Sequence, residues 1–193
     1  MRKVIITTVL IICGISYMSA QYNNVKLFEI EAGLGITTAG TSTSLWGYTN
    51  RANRIGANLI VEPRINIPGS PFDIGVQLNL NYFTRIWGDN ITYTYRFKNL
   101  AAYTDYNYRK WKYLHLFGGC GIGLSAYETE IYRPVSGQSP FTISYYDSFY
   151  LAPRVGVEVF NHLRLTVEYK FLRWEEVSNL NITVGFVFGG GRK

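Results

Sequence analysis

At 193 residues the chain has room for one domain with a sizeable sheet and excludes two ordinary ones. Only 17% of its residues are charged, while sixteen Tyr, eleven Phe, four Trp and nineteen Gly are present, a balance that points to all-β structure. The net charge of +6 is not gathered into a run, which argues against a nucleic-acid partner, and two cysteines are too few for a disulfide framework.

Residues 1–20 read as a secretory signal: Arg2 and Lys3 form a basic start, Val4 to Tyr17 an uncharged, mostly apolar run, and Ser19-Ala20 a small-residue exit. The run is shorter than the roughly 20 residues that span a bilayer as a helix. Cleavage would leave residues 21–193 as one domain, with Cys120 its single cysteine and the charge lowered by the two basic residues removed.

Eight segments then alternate with period two, the signature of strands with one face of each kind. The first sets Phe28, Ile30, Ala32, Leu34 and Ile36 against Glu29, Glu31, Gly33, Gly35 and Thr37. The second sets Ile55, Ala57, Leu59, Val61 and Ile65 against Arg54, Gly56, Asn58, Glu62 and Arg64, with Ile60 an exception on the polar side. In the third, Phe72, Ile74, Val76, Leu78, Leu80 and Tyr82 oppose Asp73, Gly75, Gln77, Asn79, Asn81 and Arg85.

The fourth places Leu100, Ala102, Thr104 and Tyr106 opposite Asn99, Ala101, Tyr103 and Asp105, and reads Tyr93 to Phe97 as out of phase, so a bulge is expected near Lys98. The fifth sets Leu114, Leu116, Cys120, Ile122 and Leu124 against His115, Gly119, Gly121, Gly123 and Ser125. The sixth has Phe149, Leu151, Val155, Val157 and Val159 opposite Tyr150, Arg154, Gly156 and Glu158. The seventh has Leu163, Leu165, Val167, Tyr169 and Phe171 opposite Arg164, Thr166, Glu168 and Lys170, and the last has Leu180, Ile182, Val184, Phe186 and Phe188 opposite Asn179, Asn181, Thr183 and Gly185.

Connections at one end are short: Asn66 to Pro71, Tyr108 to Lys112, and Phe160 to His162. At the other end Thr38 to Asn53 and Glu128 to Asp147 read as long loops, whereas Trp87 to Ile91 and Arg173 to Ser178 are short. Such alternation suits a membrane barrel with one plain and one elaborated side.

A soluble barrel alternates too, with its apolar face inside. Two features favour lipid outside. One face is almost free of charge in all eight segments, which a bilayer enforces, because Arg or Lys facing its midplane costs about 2–4 kcal/mol. The other face carries Glu29, Glu31, Arg54, Glu62, Arg64, Asp73, Arg85, Arg154, Glu158, Arg164, Glu168 and Lys170, charges of mixed sign able to pair in a narrow lumen. Trp46, Trp87, Trp111 and Trp174 fall near segment ends, where indole suits a lipid interface.

From the first segment to the last, the chain resembles the small outer-membrane barrels of the OmpX-like and OmpA-barrel-like group, often labelled porin family. The resemblance is one of architecture, and it implies an eight-stranded antiparallel up-and-down barrel in a bacterial outer membrane, in contact with lipid and lipopolysaccharide. One departure is the ending: Phe186 and Phe188 are followed by Gly189 to Lys193, where such barrels often finish on an aromatic residue.

Enzymatic barrels of this size resemble a His-x-Ser arrangement, but His115 is followed by Leu116-Phe117 and His162 by Leu163-Arg164. No catalytic residue, cofactor or metal is therefore expected. Gly119, Gly121 and Gly123 share one strand face with no helix after them, which argues for room across the barrel and against a phosphate loop. An eight-stranded interior is just wide enough to be filled by side chains, so the inner charges read as a structural ion-pair network. The remaining candidates for contact with a protein partner are loop residues: Trp46 and Tyr48, and Tyr132, Arg133, Phe141, Tyr145 and Tyr146. The expectation is a non-enzymatic barrel acting in surface contact, envelope integrity or as a subunit of a larger assembly; a narrow passive channel and a lipid-modifying enzyme are the alternatives.

Overall fold

A computed structural model describes residues 26–39, 55–87, 91–111, 113–132, 141–172 and 178–189. The expected leader, Trp46, Tyr48, Arg54, Arg133 and Trp174 lie outside them.

The strands are β1 (Phe28–Ala39), β2 (Ile55–Asn66), β3 (Phe72–Trp87), β4 (Ile91–Tyr108), β5 (Leu114–Tyr132), β6 (Phe141–Val159), β7 (Leu163–Leu172) and β8 (Asn179–Phe188). Each is antiparallel to the next, and β8 returns to β1 with Ile30 opposite Phe188, closing the barrel. Closure leaves no edge over the shared height of the strands, which matters where no water can satisfy an open edge.

Alternation decides which face is inside. Glu62, Asp73 and Arg164 are 0% exposed, whereas Leu34 is 68% and Leu78 56% exposed. The apolar side chains form the outer surface and the charged ones the core, the inverse of a soluble barrel. A few large apolar groups also point inward: Ile60, Phe83, Phe97, Phe117 and Val187 are all buried.

Two of the short connections are tight turns. In Ile67-Pro68-Gly69-Ser70 the Ser70 amide donates to the Ile67 carbonyl at 3.1 Å and Gly69 has φ of 69°. Proline followed by a positive-φ glycine is the requirement of a type II turn. Between β6 and β7, Phe160 and Asn161 both have positive φ (54° and 60°), and the His162 amide donates to the Val159 carbonyl at 3.2 Å. This type I′ geometry matches the twist of the flanking strands.

Two expectations are corrected. β4 keeps unbroken register with β3 from Trp87↔Ile91 to Phe72↔Tyr106 and with β5 from Thr92↔Tyr132 to Tyr108↔Leu116, so there is no bulge near Lys98. Phe97 is inside, in phase with Asn99, Ala101 and Tyr103, while Arg96 and Lys98 are exposed. The polarity of the faces inverts there; the phase does not slip. The irregularity lies instead between β5 and β6: Ser125 pairs with Ser148 and Tyr127 with Tyr145, which leaves one extra residue on β6.

The expected loop from Glu128 to Asp147 is also mostly strand. β5 continues to Tyr132 and β6 begins at Phe141, so Tyr132, Phe141, Tyr145 and Tyr146 are strand residues and only 133–140 connect the two. Likewise Thr38 and Ala39 belong to β1. The segment rich in Tyr, Ser and Thr suits a strand as well as a loop, since β-branched and aromatic residues favour extended backbone.

Candidate functional site

Residues are brought together at two places: the lumen, and the outer wall of β4 and β5 above its apolar part. In the lumen, charged side chains from opposite walls meet in stacked layers. Nearest the short turns, Arg64 on β2 donates to Glu29 Oε2 (2.7 Å) and Glu31 Oε2 (2.9 Å) on β1 and lies 3.5 Å from Glu158 on β6. Arg109 donates to Asn66 Oδ1 at 3.0 Å and stands 3.8 Å from Glu29 Oε1.

Above this, Arg154 on β6 reaches across to Glu62 on β2, with Nη1 at 2.5 Å and Nη2 at 2.7 Å, and also engages Asp105 on β4 through Nε (2.9 Å) and Nη2 (2.8 Å). Arg164 on β7 joins the same Asp105 carboxylate and lies 3.4 Å from Glu31. Gln77 donates to Glu62 at 3.0 Å, and Asn107 donates to Asp73 at 2.9 Å. Forked guanidinium donors suit paired carboxylates, because several N–H groups can be used in one plane.

Higher still, the Tyr103 hydroxyl donates to Glu168 Oε2 at 2.6 Å and Lys170 lies 3.2 Å from Glu168 Oε1. Lys170 and Asn99 both donate to Asn79 Oδ1 at 2.8 Å. An amide chain continues from Asn79 to Asn58 and from Asn58 to Thr183. Two faces of aromatic rings complete the packing: Arg154 sits 3.9 Å from the Tyr103 ring centre and Arg164 3.5 Å from that of Phe117.

Glycine makes room for this. A Cβ at Gly121 would collide with the Tyr103 ring, one at Gly119 with Asp105, and one at Gly156 with the Phe117 ring. Gly121→Val should therefore displace Tyr103 and lower stability by about 1–3 kcal/mol, as overpacking does. Equilibrium unfolding from lipid vesicles, read beside Gly118→Ala, checks this, because a Cβ at Gly118 meets only ordinary contacts.

Of the sequence-named inner residues, Glu29, Glu31, Glu62, Arg64, Asp73, Arg154, Glu158, Arg164, Glu168 and Lys170 are buried in the lumen. Arg85 is placed by backbone register alone, opposite Tyr93. Asp105, Tyr103 and Arg109 are central to these contacts and were not among the named set. Asp105 and Tyr103 do stand on the polar face of the fourth segment, and that alternation is the available signal. His115 is buried with Nδ1 3.7 Å from Glu158 Oε1, beyond hydrogen-bond distance. His162 is exposed in its turn, with Nδ1 3.1 Å from the Val187 carbonyl and its ring stacked on Phe186.

On the outer wall the charged groups pair at the exposed surface. Lys98 lies 2.7 Å from Glu128 and Arg96 2.9 Å from Glu130, all partly or largely exposed. The hydrogen bond from Lys98, and then its charge, hold the Glu128 carboxyl below its ordinary range. A depressed carboxyl favours the paired form above the ordinary Glu value of about 4.3, and the pair is lost as pH falls through the lower, folded value. In a carbon-13 titration, Glu128 should protonate at lower pH in the native protein than in Lys98→Gln. Identical titration curves would contradict the pairing.

No family model matches the chain, and no curated protein is significantly similar to it. Among solved structures it is similar to Neisserial surface protein A, with a TM-score of 0.62, 13% identity, and 86% of this chain and 98% of that one covered. Others are Ail, the attachment invasion locus protein of Yersinia pestis, in complex with the heparin analogue sucrose octasulfate (TM-score 0.48, 16% identity, 86% and 99% covered), and a major outer membrane protein from Thermus thermophilus (0.47, 15%, 85% and 98%). In fold, the chain is a closed eight-stranded antiparallel barrel similar to the small outer-membrane barrel of the Neisserial surface protein.

Proposed function

We propose that the chain is a non-enzymatic bacterial outer-membrane barrel that serves in contact at the cell surface, with the raised wall of β3–β6 as its working part. The observation that carries this reading is the unequal height of the strands. β7 and β8 have 10 residues each, enough for a tilted strand to cross a bilayer, whereas β4, β5 and β6 have 18, 19 and 19. The excess of eight or nine residues, at about 3.3 Å each and tilted about 40°, lifts this side by about 20 Å.

The height of the apolar band agrees. From Tyr108 to Leu100 on β4 the outward face stays uncharged, and at the same rise and tilt that stretch covers about 20 Å, most of the roughly 25 Å lipid-facing band of such barrels. Near the turn end, Trp111, Tyr113 and Phe160 are exposed, where amphipathic rings suit a head-group layer. Cross-lumen contacts such as Arg154 to Glu62 favour a filled interior over a channel.

Protein refolded in detergent should migrate differently on a gel when boiled and unboiled, and planar bilayers containing it should show no discrete conductance steps. Cells displaying it should attach to test surfaces differently from cells displaying a form lacking Pro134 to Thr142, which shortens the wall while leaving the gel shift intact. Stepwise conductance, or attachment unaffected by that deletion, would overturn the reading.

A further inference from the structure

The outer wall carries one feature that a uniform lipid belt does not require: a groove of about 440 Å3 on the outward face of β2–β5. Its lower row is Val61, Leu78, Leu100 and Leu124, which are register partners from strand to strand. Directly above, Lys98 stands opposite Ala126, a methyl side chain beside a long flexible one, so the wall is recessed there. The next outward position on β4 is Arg96. The apolar recess thus ends on Lys98, with Arg96 one outward position beyond the groove, at the level where the outer face changes from apolar to charged.

We infer that this groove seats one phosphate-bearing lipid of net negative head-group charge, with an acyl chain along the apolar row and the phosphate on Lys98 and Arg96. The inference rests on the reading of the chain as a membrane-spanning barrel. Both cations are engaged, Lys98 with Glu128 and Arg96 with Glu130, but these pairs are exposed, and exposed pairs hold weakly. A phosphate oxygen can therefore replace a carboxylate oxygen at small cost. The long stems of both side chains can lie on the apolar row while their heads reach the interface.

The test is native mass spectrometry of the refolded protein from mixed micelles containing equal phosphatidylglycerol and phosphatidylcholine of matched chain length. The wild-type protein should retain phosphatidylglycerol about fivefold over phosphatidylcholine, the ratio that one cation near an anionic head group supplies. Arg96→Gln with Lys98→Gln should bring the ratio to about one. Glu128→Gln with Glu130→Gln, which releases the cations, should raise it above wild type, and Ala126→Trp, which fills the recess, should lower retention of both lipids. Added inorganic phosphate should leave lipid retention unchanged.

Equal retention by the wild type and the double glutamine variant of the cations would overturn the lipid seat. So would no rise in the double variant of the acids, or displacement by inorganic phosphate, which would indicate a free-phosphate site. Each variant is first run boiled and unboiled. A wild-type protein that shows no gel shift and does not insert sinks the membrane reading itself, whereas an inserted protein without lipid preference sinks only this site.

Discussion

Arg154→Ala should destabilise the barrel by about 3–5 kcal/mol, the cost of removing one partner from a buried ion pair. The reason lies in its position between Glu62 and Asp105, both 0% exposed, so the variant leaves two carboxylates facing each other with one shared cation gone. Arg164 still reaches Asp105, but Glu62 keeps only Gln77 as a side-chain hydrogen-bond donor among the described residues. Replacing the pair, as in Arg154→Met with Glu62→Gln, should recover much of the loss, because Asp105 keeps Arg164 and Glu62 no longer leaves an uncompensated charge in the lumen. Equilibrium unfolding from vesicles at neutral pH measures both. A loss under about 1 kcal/mol for Arg154→Ala would mean that the lumen is wet enough to screen the charges.

Leu78→Arg should cost about 2–4 kcal/mol and slow insertion into vesicles, because Leu78 lies in the middle of the apolar outer band of β3. Thr94→Arg, also on the outer face but beyond Lys98 and Arg96, should change stability by no more than about 0.5 kcal/mol, as surface substitutions do. The contrast carries the information. In a soluble barrel with a solvated outer face, arginine at either position would be tolerated equally.

Eight strands and their two faces were legible because lipid makes the period-two pattern unusually clean: from Phe28 to Ile36 and from Leu163 to Phe171 each alternate residue changes sides without exception. The pattern misled where the apolar outer band ends. Above Leu100 the outer face of β4 turns charged and carries Lys98 and Arg96, while Phe97 turns inward onto Phe83 at 5.5 Å. In the sequence, an inversion of polarity and a one-residue slip look the same, since both put apolar residues on the formerly polar positions. The upper parts of β5 and β6 were read as loop for a related reason, because in the sequence their alternate residues no longer differ sharply in polarity.

Partnerships in the lumen were less legible than membership of it. That Glu62 and Arg154 point inward follows from their places in their own strands. That they meet depends on the stagger of β2, β4 and β6, which are not neighbours in the sheet, and no local pattern encodes it. Asp105 shows the consequence: alternation puts it on the inner face, yet only the closed barrel makes it the shared acceptor of Arg154 and Arg164.

The central claim is that the apolar face of every strand faces lipid and that the bilayer ends on β4 between Leu100 and Lys98. Quenching of a fluorophore by lipids brominated at defined depths tests it directly, with single cysteines placed at Leu78, Leu100, Lys98 and Thr94 in a Cys120→Ser background. Quenching should be deepest at position 78, shift toward head-group depth from 100 to 98, and be absent at 94. Absence of quenching at 78 and 100 in protein that is folded and bound to vesicles would contradict the account.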